Sequence, residues 1–126
     1  MTAEFQTKPT PEKLFEKSFL FGKEVKILAA DVEMSDKKIA KELNEIAQWS
    51  VNSFTEILIK KYDRLDAEEF YKIAISHISV VNIMLQYLNK RNKGFANSLQ
   101  KGRLYYLMWI LCEKCRYQIK LIRKKI

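Results

Sequence analysis

The stretch Leu104-Tyr-Tyr-Leu-Met-Trp-Ile-Leu-Cys112 has no polar break, yet basic residues close it on both sides, Lys101 and Arg103 before it and Lys114 and Arg116 after it. An amphipathic helix on a small domain needs only one apolar stripe to reach its core. This run therefore has more than one side to bury. It falls far short of the roughly 20 apolar residues of a membrane span. What remains is a helix enclosed by its own bundle on one side and by a partner on another, which points to an interaction protein with no membrane role.

Working back from this helix, the chain offers three more. Thr10-Pro11-Glu12 combines a hydroxyl cap, a proline at the first helical position and an acid in the first turn, so a helix opens there. Leu14, Phe15, Phe19, Phe21, Val25 and Leu28 supply its apolar positions, and it is expected to end between Asp31 and Met34. Gly22 weakens its middle by about 1 kcal/mol relative to Ala and permits a bend. Ser35 is the expected cap of a second helix, with Asp36 in its first turn. The stripe Ile39, Leu43, Ile46, Ser50, Phe54, Ile57 and Lys61 carries that helix to about Tyr62. Steps of three and four place all of these on one face.

Asp66 followed by Glu69 has the form of a capping box and opens the third helix, whose stripe reads Phe70, Ala74, His77, Val81, Met84 and Leu88. A basic loop, Asn89 to Gly94, leads to a cap at Asn97 or Ser98 and then to the opening stretch. Four helices, short connections and no strand candidate predict an all-α, antiparallel up-down four-helix bundle over residues 11–126, behind a flexible tail at 1–10. At 126 residues the chain is one domain, large enough to bury a core without disulfides.

Charge is distributed unevenly. Residues 1–69 carry 11 Lys/Arg against 14 Asp/Glu, a net −3, while residues 70–126 carry 12 against Glu113 alone, a net +11. Such asymmetry points to an anionic partner, nucleic acid (RNA and/or DNA) or an acidic protein surface. Met1 to Pro11 is polar and lacks the apolar core of a signal peptide. Cys112 and Cys115 do not form a secreted disulfide framework, so a reducing cytoplasm is the expected setting.

Catalytic chemistry finds little support. One histidine and two cysteines are too few for an ordinary zinc site within one chain, and no Glu-x-x-His pair of a di-iron bundle occurs. His77 reads as a buried histidine on an apolar stripe. Cys112-Glu-Lys-Cys115 has redox spacing, but redox pairs sit at helix N-termini where the dipole lowers the thiol pKa. Here Cys115 falls on the core stripe with Leu104, Leu107, Leu111 and Ile122, and Cys112 at its border, so both read as packed thiols. No catalytic residue, metal or cofactor is assigned, and the chain reads as non-enzymatic.

The other side of the last helix is more informative. At 100° per residue, Tyr105, Trp109, Arg116, Lys120 and Arg123 share a sector of about 60–70°. Aromatics among cations hold nucleic acid by stacking and phosphate contacts, and they also anchor protein interfaces. The expected nucleic-acid surface is Lys90, Arg91, Lys93, Arg116, Lys120 and Arg123. Six duplex contacts would give a slope of log affinity on log salt of about −5. The expected self-association interface is Tyr105, Tyr106, Trp109 and Ile110, with Tyr106 and Ile110 taken as apolar residues a single stripe cannot hide. A protein–protein adaptor meeting an acidic partner is the alternative.

Ser50 and Asn52, then Arg64-x-Asp66-x-x-Glu69-Phe70, Ile73-Ala74 and Ser76 resemble the middle helices of a bacterial four-helix-bundle family. That family comprises proteins encoded in ribosomal-RNA intervening sequences and the accessory variability proteins of diversity-generating retroelements. The resemblance covers about a third of the chain, from Ile46 to Leu88. Phe54-Thr55-Glu56-Ile57 replaces the family's small-residue turn, and His77 stands where a serine is expected. The resemblance implies a basic homo-oligomer, a pentamer in that family, that binds nucleic acid and, in the retroelement case, a reverse transcriptase. It implies no active site.

Overall fold

A computed structural model describes residues 10–59, 64–91 and 98–124, with the backbone alone for 64–66, 98 and 99. Four helices account for them: α1 (Pro11–Val32), α2 (Lys37–Ile59), α3 (Arg64–Arg91) and α4 (Ser98–Lys124). No strand occurs among the described residues. Consecutive helices pack on one another, and α4 closes the ring against α1. Short connections make neighbours antiparallel, so the protein is an all-α four-helix bundle. This order sets the α1–α2 seam on the opposite side of the bundle from the α3–α4 seam.

The helix starts follow from local chemistry. Thr10 has extended backbone, and its Oγ1 accepts from the Lys13 amide at 3.1 Å with Pro11 next in the chain, a hydroxyl N-cap as the sequence predicts. The second cap differs from expectation. Asp36, not Ser35, caps α2: its Oδ1 accepts from the Ile39 amide at 3.1 Å and its carbonyl accepts from the Ala40 amide at 3.1 Å. Ser35 is spent closing the end of α1, where its amide and hydroxyl both donate to the Val32 carbonyl. α3 opens at Arg64, two residues before the expected cap Asp66, whose side chain is outside the described residues. The tail 1–9, Lys61, Tyr62, Lys93, Gly94 and Asn97 are likewise outside them.

The core draws on all four helices. Leu14, Phe21, Val25 and Leu28 meet Leu43, Phe54 and Ile57, with Ile78, Val81 and Leu85 from α3 and Leu104, Leu111 and Cys115 from α4. Each large apolar side chain buried in this way contributes about 1.5–3 kcal/mol. On α3 the buried seam is Ala67, Tyr71, Ala74, Ile78, Val81, Leu85 and Leu88. Ala74, Val81 and Leu88 belong to the expected stripe, whereas Phe70, His77 and Met84 lie half-buried at its edge. The two seams are one residue apart and equally periodic, so spacing alone does not choose between them. Contact with α4 on one side and α2 on the other does.

Gly22 has a steric role. A Cβ there would stand 2.9 Å from Cγ2 of Val51, so the missing side chain lets α1 approach α2. Valine is stiff at χ1 and yields little to such a clash. α1 continues through the position without a break.

Candidate nucleic-acid interface

Polar contacts at both ends set the register of α3 against α4. At one end the Asn89 amide donates to the Tyr105 hydroxyl at 3.3 Å and accepts from Lys101 Nζ at 3.3 Å. At the other, Arg123 Nε donates to Glu68 Oε1 at 2.6 Å. Between these clamps the helices enclose an open groove of about 430 Å³. Tyr105, Trp109, Cys112 and Arg116 line it from α4, and Ser79 and Asn82 from α3. Among the described residues its only charged lining residue is the cation Arg116.

The outer face of α3 extends this surface. Val80, Ile83 and Tyr87 recur at steps of three and four on the side away from the core, with Ile83 65% exposed. Trp109 is 49% exposed on the facing helix. An antiparallel register tied at Asn89–Tyr105 sets Ile83 within about 3 Å of the level of Trp109 along the helix axis, and Tyr87 likewise near that of Tyr105. The result is an aromatic and apolar platform that the bundle itself leaves uncovered.

Cations stand at both ends of the platform, though not as one patch. Lys90 and Arg91 form the last turn of α3 rather than a loop, where positive charge also favours the helix dipole. Arg91 donates to Asp36 Oδ2 at 3.2 Å and to the Tyr87 hydroxyl at 2.8 Å, and its guanidinium lies 5.9 Å from the Tyr87 ring centre. Arg116 pairs with Glu113 at 2.9 Å, one turn earlier on α4. Lys120 is exposed one turn beyond. Arg123 lies about 33 Å along α4 from Lys101, at 1.5 Å per residue, and pairs with Glu68. The structure therefore brings Arg116 and Lys120 together at one end, sets Lys90 at the other, turns Arg91 toward Asp36 at the start of α2, and carries Arg123 past the platform. The Arg116–Glu113 pair is exposed on both sides, so it is worth at most about 1 kcal/mol and competes weakly with a phosphate, whereas the pairs of Arg91 and Arg123 are exposed on the arginine side only.

The expected self-association set is only partly at the surface. Tyr105 and Trp109 are exposed, and Tyr106 is half-buried with its ring centre 6.5 Å from that of Trp109. Ile110 is 1% exposed, which removes it from any outer interface. It lies seven residues from Arg103, whose Nε approaches Glu24 of α1 at 3.8 Å. Ile110 thus shares the side of α4 that faces α1. The apolar run is wide because α4 serves two seams, and that accounts for much of what one stripe could not hide.

The thiols and the histidine have packing explanations. Burial pushes the Cys115 thiol far above its ordinary range, and the neighbouring Cys112 adds to the shift. Burial also raises Cys112, against the pull of Arg116. Thiols held protonated in this way are poor nucleophiles. Among the described residues no group of three or more His, Cys, Asp and Glu could hold a metal ion. No helix among them is long and apolar enough to cross a membrane.

His77 sits on the α2 side of α3, its ring 5.8 Å from that of Trp49, with a buried Nδ1 that finds no partner. Burial holds its pKa below the ordinary 6.5. The folded protein then takes up this proton less readily than the unfolded chain. Its contribution to stability is full above pH 6.5 and is lost as the pH falls below that value. Denaturant midpoints are expected to drop between about pH 7 and pH 5.5, and a His77→Gln variant should flatten that part of the profile.

No protein family, curated protein or solved structure matches the chain. Its function is read from this surface.

Proposed function

We propose that the α3–α4 face binds single-stranded nucleic acid, and that the protein is a non-enzymatic accessory module rather than a catalyst. The observation that carries this reading is the groove in which exposed Tyr105 and Trp109 stand beside Arg116, with Ser79 and Asn82 across from them. A base stacked on an aromatic ring gains about 1–3 kcal/mol without regard to sequence. Lys90 at one end and Arg116 and Lys120 at the other supply phosphate contacts along the strand. Unpaired bases are required, because the bases of a duplex are stacked on each other and leave no face for Trp109.

The resemblance to retroelement accessory bundles agrees with this function, and with it we propose self-association and a nucleic-acid enzyme such as a reverse transcriptase as partner. Tyr105, Tyr106 and Trp109 are what remains of the expected self-association surface once Ile110 is placed in the interior. A second reading, a protein adaptor for an acidic partner, is favoured by Val80 and Ile83. Both are exposed and neither offers a ring for stacking.

Tryptophan fluorescence tests the assignment of the face. The chain has two tryptophans, and Trp49 lies by His77 on the α2–α3 side. In a Trp49→Phe background, an unlabelled single-stranded oligonucleotide is expected to quench Trp109 saturably. In a Trp109→Phe background, Trp49 should respond little. Quenching of Trp49 with Trp109 silent would overturn the assignment.

A further inference from the structure

Across the bundle, α1 presents a second apolar seam that its own core does not use. Leu20 and Ile27 lie seven residues apart on α1 and are both exposed, with Phe19 beside them 58% exposed and Met34 exposed in the turn that follows the helix. Phe19 was expected in the core stripe; it lies outside because Phe21, Val25 and Leu28 fill the inward side of α1. A seven-residue apolar repeat on the outside of a helix is the pattern by which one helix accepts another. Along this seam α1 and α2 form an open groove of about 590 Å³. Gly22 allows the close approach of the two helices that forms its floor, with Val51 opposite, and Phe19 and Ile27 make its walls.

Its charge is of one sign. Among the described residues, Lys23 and Lys26 are the only charged ones that line it, and neither forms an ion pair there. We infer that this groove docks an amphipathic helix of a partner protein, with apolar residues toward Phe19 and Ile27 and acidic residues toward Lys23 and Lys26. A groove open to solvent between two packed helices suits a third helix. A small ligand instead favours a pocket that encloses most of its surface. The same groove on a second copy is the poorer occupant, because a two-fold pairing sets Lys23 and Lys26 of one copy against the like charges of the other. The seam lies opposite the α3–α4 face, so both surfaces can be occupied at once.

The test uses a synthetic amphipathic helix with a leucine seam and glutamate flanks, together with its lysine-flanked counterpart. Each is titrated into the isotopically labelled full chain. The glutamate peptide is expected to bind and to shift amide signals of α1 and α2 around Gly22 and Val51. Ile27→Asp, a change at an exposed position, should abolish those shifts while helical content is retained. Lys23→Glu with Lys26→Glu should reverse the preference between the two peptides by about tenfold, as paired charges at an interface do. Failure of the glutamate peptide to bind would overturn the inference. So would shifts confined to the α3–α4 face, or groove signals that move with the protein's own concentration, which would make a second copy the occupant.

Discussion

Phe54→Ala is expected to destabilise the bundle by about 3–5 kcal/mol, the largest effect of any single change considered. Phe54 lies on α2, is 1% exposed and belongs to the central cluster. Truncation removes its transfer free energy and leaves a cavity that stiff neighbouring helices close only in part. Domains of this kind are stable by about 5–15 kcal/mol, so the variant approaches the limit of folding. A urea titration reads the loss as a lower midpoint at unchanged slope. Phe19→Ala provides the contrast. It removes the same side chain from an exposed position and is expected to stay within about 0.5 kcal/mol of the parent. Similar losses at the two sites would mean that α1 is rotated from the orientation described.

The second large effect is on binding. Arg116→Glu combined with Lys120→Glu is expected to weaken single-stranded nucleic-acid binding more than about tenfold, because two phosphate contacts become repulsions. Adding Trp109→Ala should remove a further 1–3 kcal/mol, roughly the value of one stacked base. All three residues are exposed, and the one ion pair lost, Arg116 with Glu113, lies on the surface of α4. Helical content and thermal midpoint should therefore hold nearly constant. That separates a binding defect from a folding defect. Arg123→Glu makes an internal control. Arg123 sits beyond the platform against Glu68, so its reversal should cost little binding.

Much of the architecture is legible in the chain because its signals are local. Thr10 with Pro11 marks the start of α1 by hydrogen-bonding chemistry that needs no tertiary partner. The stripe Ile39, Leu43, Ile46, Ser50, Phe54, Ile57 and Lys61 names its face by spacing: the structure half-buries Ile39 and buries the next five, and Lys61 lies outside the described residues. Cys115 and its companions Leu104, Leu107, Leu111 and Ile122 follow the same rule. Where two neighbouring helices share the decision, spacing fails. On α3 the seams through His77 and through Ile78 are equally periodic, and only the placement of α2 and α4 selects the second. Ile110 looks surplus until α4 is seen to touch both α3 and α1. Phe19 looks like core until Phe21 is seen to have the inward place.

The candidate site divides in the same way. The 100° periodicity brings Tyr105, Trp109, Arg116 and Lys120 to one side of α4, and three of these four line or border the groove together. What spacing within a helix cannot carry is the partner helix. Ile83, Tyr87, Ser79 and Asn82 join the surface only through the register fixed at Asn89 and Tyr105. Nor does it carry the acids of distant segments: Asp36 reaches Arg91 across 55 residues of sequence, as Glu68 does Arg123.

The central claim, that a basic and aromatic face on α3 and α4 holds unpaired nucleic acid, is tested most directly by fluorescence anisotropy. A labelled single-stranded RNA of mixed sequence is titrated with the full chain at several salt concentrations. Three cations, Lys90, Arg116 and Lys120, predict a slope of log affinity on log salt of about −2, at about −0.7 per contact on a single strand. Binding that is strong at low salt and falls along that slope is the expected result. No binding at low salt, or an affinity that does not change with salt, would contradict it.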